Sequence, residues 1–365
     1  MSESNAVAAT KRCVYNPKLE AISFKTFITK LLNGVAIAIV IGLIPNAIFG
    51  EVFKALIPYT PVAEFLYNVV SGAQFSVPLL VGVLVAYQFG MTPIELATMG
   101  ATTFIASGVV TMVDGAWKIA GIGDLINVML VAVLGVLFVR LLSGRLGSLT
   151  MILTPILTVT IVGGIGSFTL PYVRQVTTWI GQLIASFTTL QPLLMSILLS
   201  ISFAIIIISP VSTVAIGLAV GLSGLASGAA NMGIASCAMV LVVGSLYANR
   251  IGVTLAVFLG SMKLFMPNWL KHPQLNIPIV LNGVVGGVLA YLFNIQGTPQ
   301  SAGFGFSGLV GPINAFKYMT QPPALRVLLL FLCYFVLTAL GAYLIDLICV
   351  RVLKLYKHDI YLFEN

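Results

Sequence analysis

The sequence GTPQSAGFGFSGLVGPIN, residues 297–314, lies between two apolar runs and therefore falls at or near membrane depth. Five of its eighteen residues are glycine and two are proline, a composition that suits a continuous membrane-spanning helix badly. Irregular backbone within a bilayer is tolerated only where protein or a water-filled cavity covers it. We therefore predict that this stretch, called the glycine-rich segment below, is a broken element that helps to build a substrate site. A long external loop folded over the helix ends is the alternative.

The composition of the whole chain is typical of an integral membrane protein. Of the 365 residues, 59% are hydrophobic and only 8% are charged, whereas average proteins carry about 25% charged residues. No segment holds enough charge to cover a soluble domain. The net charge of +8 comes mainly from Lys and Arg at span ends and termini, and the positive-inside rule explains it better than nucleic-acid binding does.

Apolar runs divide the chain into about ten predicted transmembrane helices. A spanning helix needs about 20 mostly apolar residues, and residues 65–90 form one long run with a predicted kink at Pro78. The other predicted spans are residues 31–50, 96–113, 125–142, 149–170, 190–208, 229–248, 252–266, 277–296 and 327–350. Twelve of the 18 Lys and Arg residues then lie on the side of the two termini, which predicts that both termini are cytoplasmic.

These runs also predict the domain organisation. A cytoplasmic N-terminal segment (1–30) precedes a first transmembrane bundle (31–170) of five spans, which we expect to dimerise. Residues 171–189 are amphipathic, with Arg174 and Trp179, and are predicted to form an interfacial linker. A second bundle (190–350) is predicted to be the substrate core, and residues 351–365 to be a cytoplasmic tail.

The second bundle contains two predicted glycine-rich re-entrant hairpins. Residues 211–225 are too short to cross comfortably, and they run into SGLASGAAN, residues 223–231. That sequence echoes SGLVGPIN, residues 307–314, within the glycine-rich segment, although chance resemblance is an equal alternative for so short a match. The predicted fold class is an all-α polytopic membrane protein with about ten transmembrane helices and two such hairpins.

The polar groups at membrane depth are mainly uncharged. Amide and hydroxyl side chains can match sugar hydroxyls without burying a net charge, so a small neutral solute is expected. Ionisable residues near membrane depth are functional candidates by default, with an interfacial glutamate and an ordinary loop histidine as the alternatives. The predicted substrate-binding residues are Asn231, His272, Gln300, Ser307, Asn314 and Glu95.

Other kinds of chemistry leave no sequence motif here. The chain lacks a Walker loop, an HExxH motif and a GxSxG motif, so no catalytic residue is predicted. The four cysteines, among them Cys13, show no CxxC or metal-ligand spacing, and no disulfide, metal or cofactor is predicted. Asp346 is expected to pair locally with Arg351, and His358 to be solvated in the tail.

Two stretches carry a family resemblance. KHPQLNIPIVLNG (residues 271–283) and GTPQSAGFGFSGLVGPINA (residues 297–315), together with the ten-span layout, resemble the membrane-spanning IIC component of the bacterial sugar phosphotransferase system. The likeness runs from about Phe27 to Leu353 and is greatest to stand-alone IIC-like proteins without fused IIA or IIB domains.

The resemblance implies a homodimer in the bacterial plasma membrane that moves a sugar, which separate IIB and IIA phosphocarrier proteins phosphorylate during uptake. It implies the transport part of a protein-N(pi)-phosphohistidine–sugar phosphotransferase, with no phospho-acceptor in this chain. His272 is expected to match the family's substrate histidine. Sugar-transporting relatives commonly present a Gly-Ile-Thr-Glu-like motif, whereas this chain has GFGFSGLVGP, without an acid, in the comparable region.

Two other functions stay open at this point. One is a transporter of the same fold that moves a non-sugar metabolite without phosphorylation. The other is a membrane sensor that does not transport, for which the basic tail would be a suitable output surface, although positive-inside anchoring also explains that tail.

Overall fold

The computed structural model describes residues 22–363, apart from the side chains of residues 47, 48, 51, 55 and 148. Cys13 and most of the predicted N-terminal segment lie outside these residues. The helices are α1 (Phe24–Leu56), α2 (Pro61–Ala73), α3 (Val77–Gln88), α4 (Pro93–Ala106), α5 (Leu125–Leu142), α6 (Thr150–Leu157), α7 (Gly164–Phe187), α8 (Pro192–Ile208), α9 (Thr213–Val220), α10 (Gly224–Ala248), α11 (Ile251–Phe258), α12 (Met266–Lys271), α13 (Asn276–Leu292), α14 (Val310–Tyr318), α15 (Pro323–Phe331) and α16 (Thr338–Leu347). Two strands, β1 (Val110–Val113) and β2 (Ala116–Ile119), form an antiparallel hairpin.

Within residues 22–363, seven helical stretches are long and apolar enough to cross a membrane. This confirms the predicted class of helical polytopic membrane protein. The number of ten spans is not confirmed, and the two re-entrant hairpins stay predictions. The seven stretches are Phe24–Asn46, Pro61–Gln88, Leu125–Leu142, Thr150–Phe187, Gly224–Ala248, Pro273–Leu292 and Pro323–Val352.

The predicted kink near Pro78 is present. A single 3₁₀ turn, Gln74–Ser76, separates α2 from α3 directly before this proline. Proline lacks the N–H that would continue the hydrogen-bond ladder, and short 3₁₀ turns commonly mark such interruptions.

The predicted span 96–113 is wrong over its second half. Helix α4 ends at Ala106, and the chain then forms the β1–β2 hairpin, in which Val110 pairs with Ile119. Asp114 and Gly115 both have positive φ angles, 53° and 78°. An Asp-Gly pair in this conformation is a strong hairpin signal, and hydropathy alone does not detect it.

The predicted span 252–266 is also wrong. Helix α11 stops at Phe258, and the chain continues as a 3₁₀ turn, Met262–Phe265, before the short helix α12. Gly260, between them, has a φ of 119°, which glycine adopts without strain. The break turns Lys263 into the protein interior, where it is 8% exposed.

Helix α10 is the centre of the second bundle. Its spanning window is 89% buried, the highest fraction among the seven candidate spans. Helices α8, α13 and α16 pack against it. Small residues permit this close packing: a Cβ added at Gly233 would lie 2.0 Å from the carbonyl oxygen of Ser200 in α8.

Buried amide and hydroxyl groups link these helices. The Asn282 amide of α13 donates to the carbonyls of Ser236 (2.9 Å) and Thr338 (3.1 Å), in α10 and α16. The Ser200 hydroxyl donates to the carbonyl of Gly283 at 2.7 Å. Interhelical hydrogen bonds of this kind add to packing because lipid supplies no competing partner.

The first bundle has its own core. One buried apolar cluster combines residues of α1, α3, α4 and α5, while a larger one combines α8, α10, α13 and the C-terminal residues. Pro171 lies inside α7, so the boundary drawn between the first bundle and the linker falls within a helix. The division into two bundles and a linker stays a proposal.

The C-terminal tail is docked on the second bundle. The side-chain amides of Asn249 and Asn268 donate to backbone carbonyls of residues 360–362 at 2.7–2.9 Å. The prediction for Asp346 named the wrong partner: its carboxylate lies 2.9 Å from Nε2 of His358. His358 also stacks on Tyr247, with ring centroids 4.4 Å apart, so it is held by the fold rather than freely solvated.

The close packing around α10 yields a stability prediction. A Cβ at Gly228 would lie 1.7 Å from the carbonyl oxygen of Ile295, a backbone atom that cannot move aside. We expect Gly228→Ala to destabilise the protein by about 1–3 kcal/mol or more, the usual cost of overpacking. Gly164 is also helical but meets nothing within 4 Å, so Gly164→Ala is the matched control. Thermal unfolding in one detergent would measure both, and equal melting temperatures would contradict the packing.

Candidate solute-binding cavity

A cavity of about 1420 Å³ opens between the two bundles. Its wall includes the start of α9, the glycine-rich segment, the first turns of α14, and parts of α1, α2 and α7. Polar lining residues from the second bundle are Ser212, Thr213, Lys263, Thr298, Gln300, Ser301, Ser307, Asn314 and Lys317, and those from the first half of the chain include Asn46, Gln74, Asp124, Thr178 and Gln182. The volume is ample for a small metabolite with its hydration water.

The glycine-rich segment has the irregular backbone predicted for it. It has no continuous helix before α14, only turns and one 3₁₀ turn, Ser307–Leu309. Protein covers one side of the segment: a Cβ at Gly303 would lie 2.4 Å from the backbone nitrogen of Val214. Gly305 has a φ of 61°, and its added Cβ would lie 2.5 Å from Ile234. The broken backbone is therefore present, while its depth in the membrane, which separates the site interpretation from the external-loop alternative, stays a prediction.

The two glycine-rich stretches meet. Gly224 and Gly297 exchange two backbone hydrogen bonds, of 2.9 and 3.0 Å. The Ser227 hydroxyl donates to the Thr298 carbonyl at 2.8 Å. Residues 223–231 start the long helix α10 instead of ending a separate short piece. The sequence echo between the stretches thus coincides with a direct contact.

Three of the six predicted site residues line the cavity. Gln300 is exposed to it, and no hydrogen bond among residues 22–363 uses its side-chain amide. Ser307 is half-buried and likewise has no partner among these residues. The Asn314 Nδ2 donates to the Val310 carbonyl at 2.9 Å, which leaves the amide oxygen for a solute.

The other three predicted residues do not line the cavity. Asn231 is fully buried, and its Oδ1 accepts the N–H of Gly305 at 2.9 Å, so it positions the glycine-rich segment. His272 lies at a separate small cavity of about 40 Å³. Glu95 Oε2 accepts the backbone N–H of Thr92 at 2.7 Å and its hydroxyl at 2.9 Å, so this carboxylate caps its own helix, α4.

Lys263 lines the cavity but was not among the predicted residues. Its ammonium donates to the carbonyl of Ser209, and to that of Val211 at 2.9 Å. These carbonyls follow the C-terminus of α8, where a cation is favoured by the helix dipole. The signal in the sequence was a lysine inside a predicted span, which is a functional candidate by default.

The comparisons with known proteins bear on this cavity. The family model described as "Phosphotransferase system, EIIC" matches residues 29–363, nearly the whole chain. The chain belongs to this family. The chain has no match among the curated proteins or among the solved structures. EIIC membership implies a permease of the phosphotransferase-system type in the bacterial plasma membrane, a sugar-type solute, and IIA and IIB phosphocarrier partners.

The position of Glu95 in this EIIC protein yields a second prediction. Glu95→Leu should lower the free energy of unfolding by about 1 kcal/mol, because the capping hydrogen bonds at Thr92 are lost. Glu95→Gln keeps an oxygen acceptor and should stay close to the parent protein. Neither change should alter solute affinity. Reduced affinity in Glu95→Gln at unchanged stability would instead make the carboxylate a substrate contact.

Proposed function

We propose that this chain is the membrane permease of a phosphotransferase system and moves a small sugar-type solute through the cavity described above. The observation that carries the proposal is the cavity itself, because a broken segment with amide and hydroxyl side chains lines it. Broken segments at the centre of transporters are common substrate sites. Separate IIB and IIA proteins would phosphorylate the solute, and both termini of the permease would face the cytoplasm.

A second candidate is a transporter or sensor of the same fold that works without phosphorylation. The glycine-rich segment contains no carboxylate, and this observation favours it. Uptake into cells separates the two, since a phosphotransferase permease accumulates a phosphorylated solute and stops when phosphoenolpyruvate is depleted. Uptake of unmodified solute that survives this depletion would favour the second candidate.

Variants of the cavity wall test where the solute binds. We expect Asn314→Leu to weaken binding by about 1–3 kcal/mol, because the solute's polar group loses its partner in a desolvated site. Gln300→Ala should weaken solute binding by about 1 kcal/mol, the net contribution of a neutral hydrogen bond. A thermal-shift screen against sugars would find the ligand, since a ligand bound only by the folded state raises its stability. Titration of each purified variant would then give affinities.

His272→Ala is the control for these variants, because His272 lies at the other cavity. It should leave affinity unchanged. If both cavity variants bind and transport normally while His272→Ala does not, the solute site lies elsewhere in the protein.

We also propose that the permease is a homodimer, as the family resemblance implies. The chain has a mass of 38.7 kDa, so native mass spectrometry from mild detergent should give a species of about twice this mass. A monomer alone across several detergents and in nanodiscs would contradict the proposal.

A further inference from the structure

The charge on the cavity wall is unbalanced. Among the side chains that the structure describes, the basic residues Arg174, Lys263 and Lys317 line it, against one acidic residue, Asp124. The Asp124 carboxylate already accepts the N–H of Asn127 at 3.0 Å, as the cap of α5. The potential within such a basic cavity attracts anions, and low-dielectric walls strengthen the attraction.

Lys263 is the buried member of this basic set. Two of the three N–H donors of its ammonium are used by the carbonyls of Ser209 and Val211. Within residues 22–363, the recorded partners of this ammonium include no carboxylate. One donor of the ammonium therefore stays available on the cavity wall, and neither carbonyl offsets its charge. A charge at membrane depth is costly to retain and is a functional candidate for that reason.

Two helices also begin at the cavity. The first residues of α9, from Thr213 to Ala215, line it, as do Gly308 and Val310 at the start of α14. A helix N-terminus carries a partial positive charge. In transporters with broken helices, such N-termini point at anionic groups of the substrate. They add to the field of Lys263 without any further side chain.

We propose that the cavity binds a sugar-type solute that carries a carboxylate, of the chemical class of the sugar acids, and that Lys263 is the cationic partner of that carboxylate. This inference rests on the proposed function, because it names the substrate class of the same cavity. The amide and hydroxyl groups of Gln300, Ser307 and Asn314 contact the solute hydroxyls. A purely structural lysine, which only ties the two carbonyls together, is the competing explanation.

The first test measures the charge of the cavity without a known solute. Ser212 is half-buried on the cavity wall, next to the Val211 carbonyl that accepts from Lys263, so Ser212→Cys serves as a reporter. Thr189→Cys, exposed beyond α7 and absent from the cavity wall, serves as the matched control. Both are made in the full chain with Cys13→Ser. The buried native cysteines 237, 333 and 349 contribute background labelling, which is measured on the same chain without a reporter cysteine.

Each reporter is labelled in nanodiscs with two methanethiosulfonates, one bearing a sulfonate and one a trimethylammonium group. Relative to Thr189→Cys, the reporter at position 212 should prefer the anionic reagent by about tenfold, as expected for a unit charge several ångströms away at intermediate dielectric. Lys263→Met should remove the preference, and Lys263→Arg should keep it. A preference that is absent, or that is unaffected by Lys263→Met, overturns the inference.

Lys263→Gln covers the case in which Lys263→Met does not fold. Glutamine is neutral but still offers two N–H donors to the two carbonyls. A lysine that only ties the two carbonyls together, with no charge acting on the cavity, predicts that Lys263→Gln lowers the melting temperature and leaves the labelling preference intact. The proposed role predicts that the preference disappears in this variant whatever its melting temperature.

The second test uses matched solutes: D-glucose with D-glucuronate and D-gluconate, and D-galactose with D-galacturonate. At least one acid should raise the melting temperature of the parent protein and of Lys263→Arg, with the shift lost in Lys263→Met. Stabilisation by a neutral sugar that persists in Lys263→Met overturns the inference and leaves the permease proposal standing. A rise in melting temperature that persists in each of Lys263→Met, Gln300→Ala and Asn314→Leu overturns both the inference and the proposed solute site, because the solute then binds outside this cavity.

Discussion

Backbone contact between the glycine-rich segment and the start of α10 is the constraint on which the rest of the site depends. Irregular backbone at membrane depth needs hydrogen-bond partners and cover, because lipid supplies neither. The paired glycines Gly224 and Gly297 supply the hydrogen bonds, and Gly228 lets the carbonyl of Ile295 approach the helix. The buried face of the segment is thus fixed by α10, and its other face is left to line the cavity.

Three interruptions of regular helix converge on this cavity. They are the turn between α8 and α9, the break around Gly260, and the glycine-rich segment. The last two touch, since a Cβ added at Gly260 would lie 2.5 Å from the hydroxyl oxygen of Ser307. The first and third are joined by the Thr213 hydroxyl, which donates to the Gly303 carbonyl at 2.8 Å. Breaks in membrane helices are expensive, so their meeting at one point indicates a site and not three independent defects.

Much of this arrangement could be predicted from sequence, and the failures have identifiable causes. Composition decided the class, and the glycine-rich segment was predicted to be broken and polar because glycine and proline disfavour a spanning helix. Its residues Gln300, Ser307 and Asn314 line the cavity, and their contact with a solute stays a prediction. Asn231 was placed correctly near the segment. Only the fold shows that its amide oxygen accepts the N–H of Gly305 and therefore positions the segment.

Lys263 was missed because apolar neighbours conceal a single charge when a run is judged by its overall hydropathy. The same averaging extended the predicted span 96–113 into strand β1, which pairs with β2 instead of continuing the helix. Glu95 was selected because it is a carboxylate near membrane depth, yet its spacing from Thr92 is that of a helix cap. Local hydrogen-bonding patterns should therefore be weighed before an ionisable residue is assigned to a site.

The position of Lys263 also explains why the solute expected from sequence and the one inferred from structure differ. An ammonium buried without compensation is unstable, but the carbonyls of Ser209 and Val211, beyond the end of α8, satisfy two of its hydrogens without cancelling its charge. A carboxylate partner within the protein would have neutralised the lysine and left a cavity suited to a neutral sugar. Because the carbonyls of Ser209 and Val211 hold it instead, the cavity wall suits a solute whose own negative charge pairs with the ammonium.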